Sequence, residues 1–157
     1  DFFGFDAETK PVFVSGRENK VSIIQIAGKN KVWIFHILQF KIGVKFKRFL
    51  ENEKLLKIGV AIGDDVKKIY RSNGVLIKGA YDLTQLSKSK GIVENGLKTL
   101  TARLLNHKLS KKQQTSNWEL FPLTEAQILY AATDAWICRE LYVRLLSLPS
   151  NEKNNLV

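Results

Sequence analysis

Asp6 and Glu8 stand two residues apart in Phe2-Phe3-Gly4-Phe5-Asp6-Ala7-Glu8, a segment whose other residues read as a β-strand. Strand period two puts both carboxylates on one face, where like charges repel. A solvated sheet edge would tolerate the pair. A divalent cation between them would remove the repulsion, because hard cations such as Mg²⁺ take oxygen ligands. Asp134 raises the same question. On a helical wheel centred on it, Tyr130 lies at about −40°, Leu141 at about −20°, Leu145 at about +20° and Cys138 at about +40°, so the acid falls inside an apolar stripe. Arg139 and Arg144 point elsewhere on that wheel, and an ionised carboxylate left unpaired in a core costs on the order of several kcal/mol. A salt bridge from another element or a bound cation would answer it. Tyr130, one turn earlier on the same face, brings a phenol within reach of whatever that carboxylate holds. The third acidic position is Asp64-Asp65, after the apolar run Ile58 to Ile62. Acids opening a helix ordinarily serve as caps or dipole partners. Val66, Ile69 and Tyr70 define the buried face of that helix. Asp65 lies at its margin and Asp64 points away, so Asp64 is expected as the cap and Asp65 as the inward-reaching acid.

Elements must bring these residues together. Segments 2–8, 21–27 and 32–37 are rich in β-branched and aromatic residues and read as strands, and the short break Gly28-Lys29-Asn30-Lys31 predicts a hairpin between the second and third. Alternation follows: helix near 43–52, strand 56–60, helix 64–72, strand 77–81, then helices 82–88 and 96–105. Residues 106–121 read as an exposed basic loop. Thr124 and Gln127 form a T-x-x-Q capping box, from which the last helix runs to about Leu146. The expectation is one α/β domain with a mixed sheet over residues 1–147, and a frayed tail over 148–157.

Composition excludes several classes. In 157 residues the longest apolar run is about half a dozen, far short of the ~18–20 needed to span a bilayer. The single Cys138 allows no internal disulfide, and His36 and His107 stand alone, so no zinc-ligand spacing exists. Gly59 and Gly63 are not followed by the Gly-Lys-Ser/Thr of a phosphate loop, and no Ser/His/Asp or Cys/His set suggests a covalent hydrolase. Subtracting 15 acids from 25 Lys and Arg leaves +10, which favours polyanionic partners.

The segments Phe5-Asp6-Ala7-Glu8, Ile58-Gly59-Val60-Ala61-Ile62-Gly63-Asp64-Asp65 and Tyr130-Ala131-Ala132-Thr133-Asp134-Ala135 resemble the three motifs of the DEDDy 3'-5' exonucleases, a family that includes ribonuclease D. Ser116-Asn117-Trp118, followed by Phe121-Pro122-Leu123-Thr124-Glu125, is most similar to the Werner-syndrome-type exonuclease domain. The resemblance covers nearly the whole chain. It implies an RNase H-like, DnaQ-type fold, a mixed five-stranded sheet with strand two antiparallel and helices on both faces. It also implies that Asp6, Glu8, Asp65 and Asp134 hold two divalent cations, Mg²⁺ or Mn²⁺, while Tyr130 orients the attacking water. The implied activity is hydrolysis from nucleic-acid 3' ends, single-stranded or recessed, DNA or RNA, releasing nucleoside 5'-monophosphates. Neighbouring domains and an intracellular, nuclear setting go with it. Two positions depart from the pattern: Thr9 replaces the usual Trp, and Val66 a polar or aromatic residue.

Basic stretches occur at 41–48, at Lys67, Lys68 and Arg71, and at Lys108, Lys111 and Lys112. The last leads directly to Trp118 and the final helix, so it is the candidate path for a strand's phosphates. Trp118 could stack on a base or anchor the core. Leu97 could wedge beside the terminal nucleotide or belong to the core. A catalytically silent exonuclease-like module that binds nucleic acid or protein is the alternative to an enzyme, and a missing metal ligand would be its sign. A basic membrane-surface protein would carry no buried acid, so Asp134 opposes it.

Overall fold

The computed structural model describes residues 1–149. Five strands, β1 (Phe2–Thr9), β2 (Val21–Ala27), β3 (Val32–Phe35), β4 (Leu56–Gly59) and β5 (Ala80–Asp82), form one sheet in the order β3-β2-β1-β4-β5. β2 is antiparallel to both neighbours, while β1, β4 and β5 run parallel. The expected hairpin is present, closed by Gly28 N–H donating to the Lys31 carbonyl at 2.8 Å. The helices are α1 (Val44–Glu51), α2 (Gly63–Asn73), α3 (Leu83–Ser89), α4 (Leu97–Leu105) and α5 (Glu125–Leu146).

Strand alternation divides the core between two faces. Phe5, Ile24 and Ile26 pack with Leu50 of α1 and Ile69 of α2. On the opposite face Ile58 packs with Leu83, Leu100, Ile137, Leu141 and Leu145 of α3, α4 and α5, and Ile23 meets Trp118 and Ala131. Helices thus cover both faces, as expected.

Two details set α5 against β1. A Cβ on Gly4 would overlap the backbone carbonyl of Ala135, so the absence of a side chain there lets the helix lie directly on the strand. The capping box forms, with Gln127 N–H donating to Thr124 Oγ1 at 3.2 Å and Thr124 N–H to Gln127 Oε1 at 3.0 Å. Gln127 Nε2 also donates to Ser116 Oγ and to the Asn117 carbonyl, which ties the preceding loop to the start of α5.

Some boundaries differ from the expectation. β5 starts at Ala80 rather than Ile77 because Gly79 adopts φ +66° and a Cβ there would press on the Glu53 and Leu55 carbonyls. β3 ends at Phe35, and His36 turns its Nε2 to the Leu120 carbonyl at 3.0 Å. Tyr70, expected on the buried face of α2, is exposed. Leu148, assigned to the tail, packs against the α3–α5 core; positions 150–157 of that tail lie outside the described residues. No described helix is long and apolar enough to cross a membrane.

Candidate active site

β1 is the central strand, so Asp6 and Glu8 are not on a solvated sheet edge. β4 pairs with β1 only as far as Gly4 and then leaves the sheet at Gly59, opening a cleft beside the second half of β1. Phe2, Gly4, Asp6 and Glu8 share the face against α5. The close approach at Gly4 sets Asp134, one residue before Ala135, over the same cleft.

Asp6, Glu8 and Asp134 each offer a carboxylate oxygen, and these atoms lie within 4.8 Å of one another. Asp134 is 6% exposed, and no described Lys or Arg pairs with it within salt-bridge distance. The salt-bridge answer to its burial is therefore absent among the described residues. Burial pushes Asp6 well above the ordinary carboxylate range, and the charges of Asp65 and Asp134 push it further. Burial, then Asp6, Asp134 and Asp65, raise Glu8 to about 9. Burial raises Asp134 to about 6 against the opposing hydrogen bond from Tyr130 and the charge of Lys98. Three hard oxygen donors converging this way are the ligand type that a divalent cation such as Mg²⁺ takes, and a cation between them would offset their mutual repulsion.

Asp65 stands outside that trio. It is half-buried at the first turn of α2, and burial raises it to about 6, with Lys68 opposing and Asp64 assisting. Of the neighbouring carboxylates it has the largest effect on Asp6. Asp64 is not the expected cap. The N-cap of α2 is Ile62, which makes no side-chain cap bond, because Ala61 at φ 53° turns the chain sharply and starts the helix at Gly63. Asp64 is exposed and lies 3.7 Å from Lys67.

The turn is secured from β5. Asp82 Oδ1 accepts hydrogen bonds from Ala61 N–H at 3.0 Å and Thr84 N–H at 2.9 Å, so one carboxylate caps α3 and fixes the entry to α2. Sequence reasoning missed Asp82, although its place just before a helix was a visible capping signal.

Tyr130 is half-buried and hydrogen-bonds Asp134; burial first, then the charges of Asp134 and Glu8, raise its pKa above the ordinary phenol value. Trp118 is fully buried, with its ring centroid 5.9 Å from that of Tyr130. An indole enclosed by Ile23, Ala131, Ile34 and Leu123 presents no free face to a base, so its place is in the core behind Tyr130.

A cavity of about 370 Å³ joins Asp6, Glu8, Tyr130 and Asp134 to Leu97, Lys98, Lys111 and Gln114. Of the substrate-contact candidates, Leu97 and Lys111 line it, while Lys108 and Lys112 are exposed elsewhere on the loop. Lys98 and Gln114 went unnoticed, since polar residues at a helix start and in a loop read as solvated surface. Gln25 also went unnoticed. It lies opposite Asp6 in the β1/β2 register, fully buried, with neither amide atom hydrogen-bonded.

Residues 1–148 match the family model described as 3'-5' exonuclease. The chain belongs to the 3'-5' exonuclease family. It is 36% identical over 154 residues to a 3'-5' exonuclease of Arabidopsis thaliana, covering 94% of this chain and 54% of that one. It is 35% identical over 154 residues to the bifunctional 3'-5' exonuclease/ATP-dependent helicase WRN of Mus musculus, covering 94% and 11%. The chain thus spans about half or less of these relatives' lengths. The crystal structure of Escherichia coli RNase D aligns with a TM-score of 0.80 at 21% identity, covering 92% of this chain and 38% of that one, which shows the RNase H-like fold shared by this exonuclease domain.

Proposed function

We infer that the chain is a metal-dependent exonuclease that removes nucleotides one at a time from nucleic-acid 3' ends and releases nucleoside 5'-monophosphates. The observation that carries this reading is the convergence of the Asp6, Glu8 and Asp134 carboxylates, in one cavity with Tyr130 and two lysines. Asp6, Glu8 and Asp134 would hold one divalent cation, Mg²⁺ or Mn²⁺, and Asp65 with Asp6 a second. Such a pair supplies a reactive water at neutral pH and relieves charge on the departing 3'-oxygen.

The chain's own groups do the rest. With its pKa raised, Tyr130 keeps its hydroxyl proton through neutral pH, so it acts by hydrogen-bonding geometry, holding Asp134 and lining up a water, rather than as a base. Leu97 gives the cavity an apolar wall against which a terminal nucleoside can rest. The +10 charge draws in a polyanionic strand, with affinity that falls as salt rises. All five polar side chains of the family pattern are present, which favours an enzyme over a silent binding module.

The test is the first product from a strand labelled on its 3'-terminal nucleotide. The expected result is immediate release of the label as a nucleoside 5'-monophosphate when Mg²⁺ or Mn²⁺ is present. Release of labelled oligonucleotides, or of a 3'-phosphate, would overturn it.

A further inference from the structure

Lys57 and Lys98 both hold their ammonium away from solvent, and only the first is satisfied. Lys57 in β4 donates from Nζ to the Asn52 carbonyl at 2.7 Å and the Lys78 carbonyl at 2.9 Å, and stands 5.2 Å from the centre of the Phe49 ring. Lys98 Nζ is also shielded, yet it has no hydrogen-bond partner. Nor does it enter any of the ion pairs among the described residues. A desolvated cation left unpaired is costly, so the position makes physical sense when an anion arrives there.

Its surroundings suit an anion. Lys98 sits in the first turn of α4, and residues 96–99 all line the cavity that holds Asp6, Glu8 and Asp134. The N-cap of α4 is Gly96, which offers no side-chain cap, so the leading amide N–H groups of this nine-residue helix keep their capacity to donate. Those groups and the positive end of the helix favour a phosphate. Lys111 reaches the same cavity from the loop, and its charge acts on Lys98 along with that of Asp134. One wall of the cavity is therefore carboxylate, from β1 and α5, and the other is cationic, from α4 and the loop.

We propose that Lys98 and the first turn of α4 bind the scissile phosphate of the 3'-terminal nucleotide, the ammonium donating to a non-bridging oxygen, while Lys111 attracts the incoming strand. This rests on the exonuclease reading. At about 370 Å³ the cavity is at the small end for ligand sites (~300–1,000 Å³), which suits one terminal nucleotide, and the phosphate that nucleotide carries is the one being cleaved. As water adds, the phosphoryl oxygens gain negative charge next to an ammonium already in place. After cleavage the same ammonium grips the 5'-phosphate of the product.

The experiment compares wild type with Lys98→Ala and Lys98→Arg. It measures steady-state cleavage of a 5'-labelled single strand, together with inhibition by adenosine 5'-monophosphate and by adenosine. Lys98→Ala should lower kcat by about 10²-fold. It should weaken inhibition by the monophosphate about 10-fold or more and leave inhibition by adenosine unchanged. Lys98→Arg should recover most of both. Unchanged melting temperatures would show that the fold is intact. The proposal is overturned if Lys98→Ala binds the monophosphate like wild type, or if adenosine loses as much as the monophosphate. Failure of the wild type to cleave any strand would instead sink the exonuclease reading, and the monophosphate-binding comparison by calorimetry would still decide the role of Lys98.

Discussion

Replacing Asp134 by Asn should stabilise the cation-free protein while abolishing its activity. The buried acid titrates at about 6 rather than 3.8, a gap of about 2 units. At ~1.4 kcal/mol per unit, its ionisation costs the folded state ~3 kcal/mol. The sign follows from the raised value: between about pH 4 and 6 the folded chain holds a proton that the unfolded chain has released, so stability falls as pH rises through that window. Above about pH 7 the full cost is present. Asn keeps an oxygen to accept the Tyr130 hydroxyl and removes the charge that also presses on Asp6 and Glu8. In chelator at pH 8 the variant should therefore melt ~6–12 °C above wild type, taking ~2–4 °C per kcal/mol for a chain of this size. Near pH 4 the advantage should shrink below ~1 kcal/mol. Added Mn²⁺ should reverse the order, because binding raises wild-type stability by mass action and the variant has lost a ligand. Thermal melts at the two pH values, with and without Mn²⁺, read all of this. A variant that melts at or below wild type at pH 8, or an advantage equal at both pH values, would refute the picture of a buried acid without a cationic partner.

The packing that builds the site is open to similar tests. Gly4→Ala puts a methyl into the Ala135 carbonyl, so it should lift α5 from β1, destabilise by about 2 kcal/mol or more and cut activity even at temperatures where the chain remains folded. Melting and cleavage on the same sample check it, and full activity would show that the close approach does not position Asp134. Trp118→Phe should lower the melting temperature through lost core volume while leaving single-strand affinity unchanged when followed by fluorescence anisotropy. A selective loss of affinity would restore the base-stacking role. Asp82→Ala should cost ~1–2 kcal/mol for the lost cap and lower cleavage beyond what unfolding explains, since the turn leading to Asp65 loses its anchor. Activity that falls only in step with the folded fraction would limit Asp82 to a structural part.

Much of the site was legible because its signals are short-range. Period two placed Asp6 and Glu8 on one face, and period 3.6 placed Asp134 with Tyr130 in an apolar stripe; both hold in three dimensions. The β2–β3 hairpin and the capping box followed from turn and cap chemistry in the same way. What escaped depends on chain segments far apart in sequence. Asp64 looked like a cap because acids often open helices, yet the positive φ at Ala61 moved the helix start, and the cap that matters, Asp82, comes from the next strand. Trp118 sits in a polar stretch, which left base stacking and core anchoring both open; Gln127 draws that stretch down onto α5 and encloses the ring, which decides for the core. Lys98 belongs to a short helix whose charges look solvated, and its shielding becomes visible only when α4 closes the cleft beside β1. Lys57 was hidden in an apolar strand, and carbonyls from two separate turns satisfy it.

The most direct test of the carboxylate centre is degradation of matched 5'-labelled single-stranded DNA and RNA by wild type and by the double variant Asp6→Ala, Glu8→Ala. Each would be assayed with Mg²⁺, with Mn²⁺ and with chelator, and folding of both proteins confirmed by melting. The account predicts a ladder shortening from the 3' end with either metal, absent in chelator and absent in a double variant that melts no lower than the metal-free wild type. Cleavage that persists in chelator, or in the folded double variant, would contradict it.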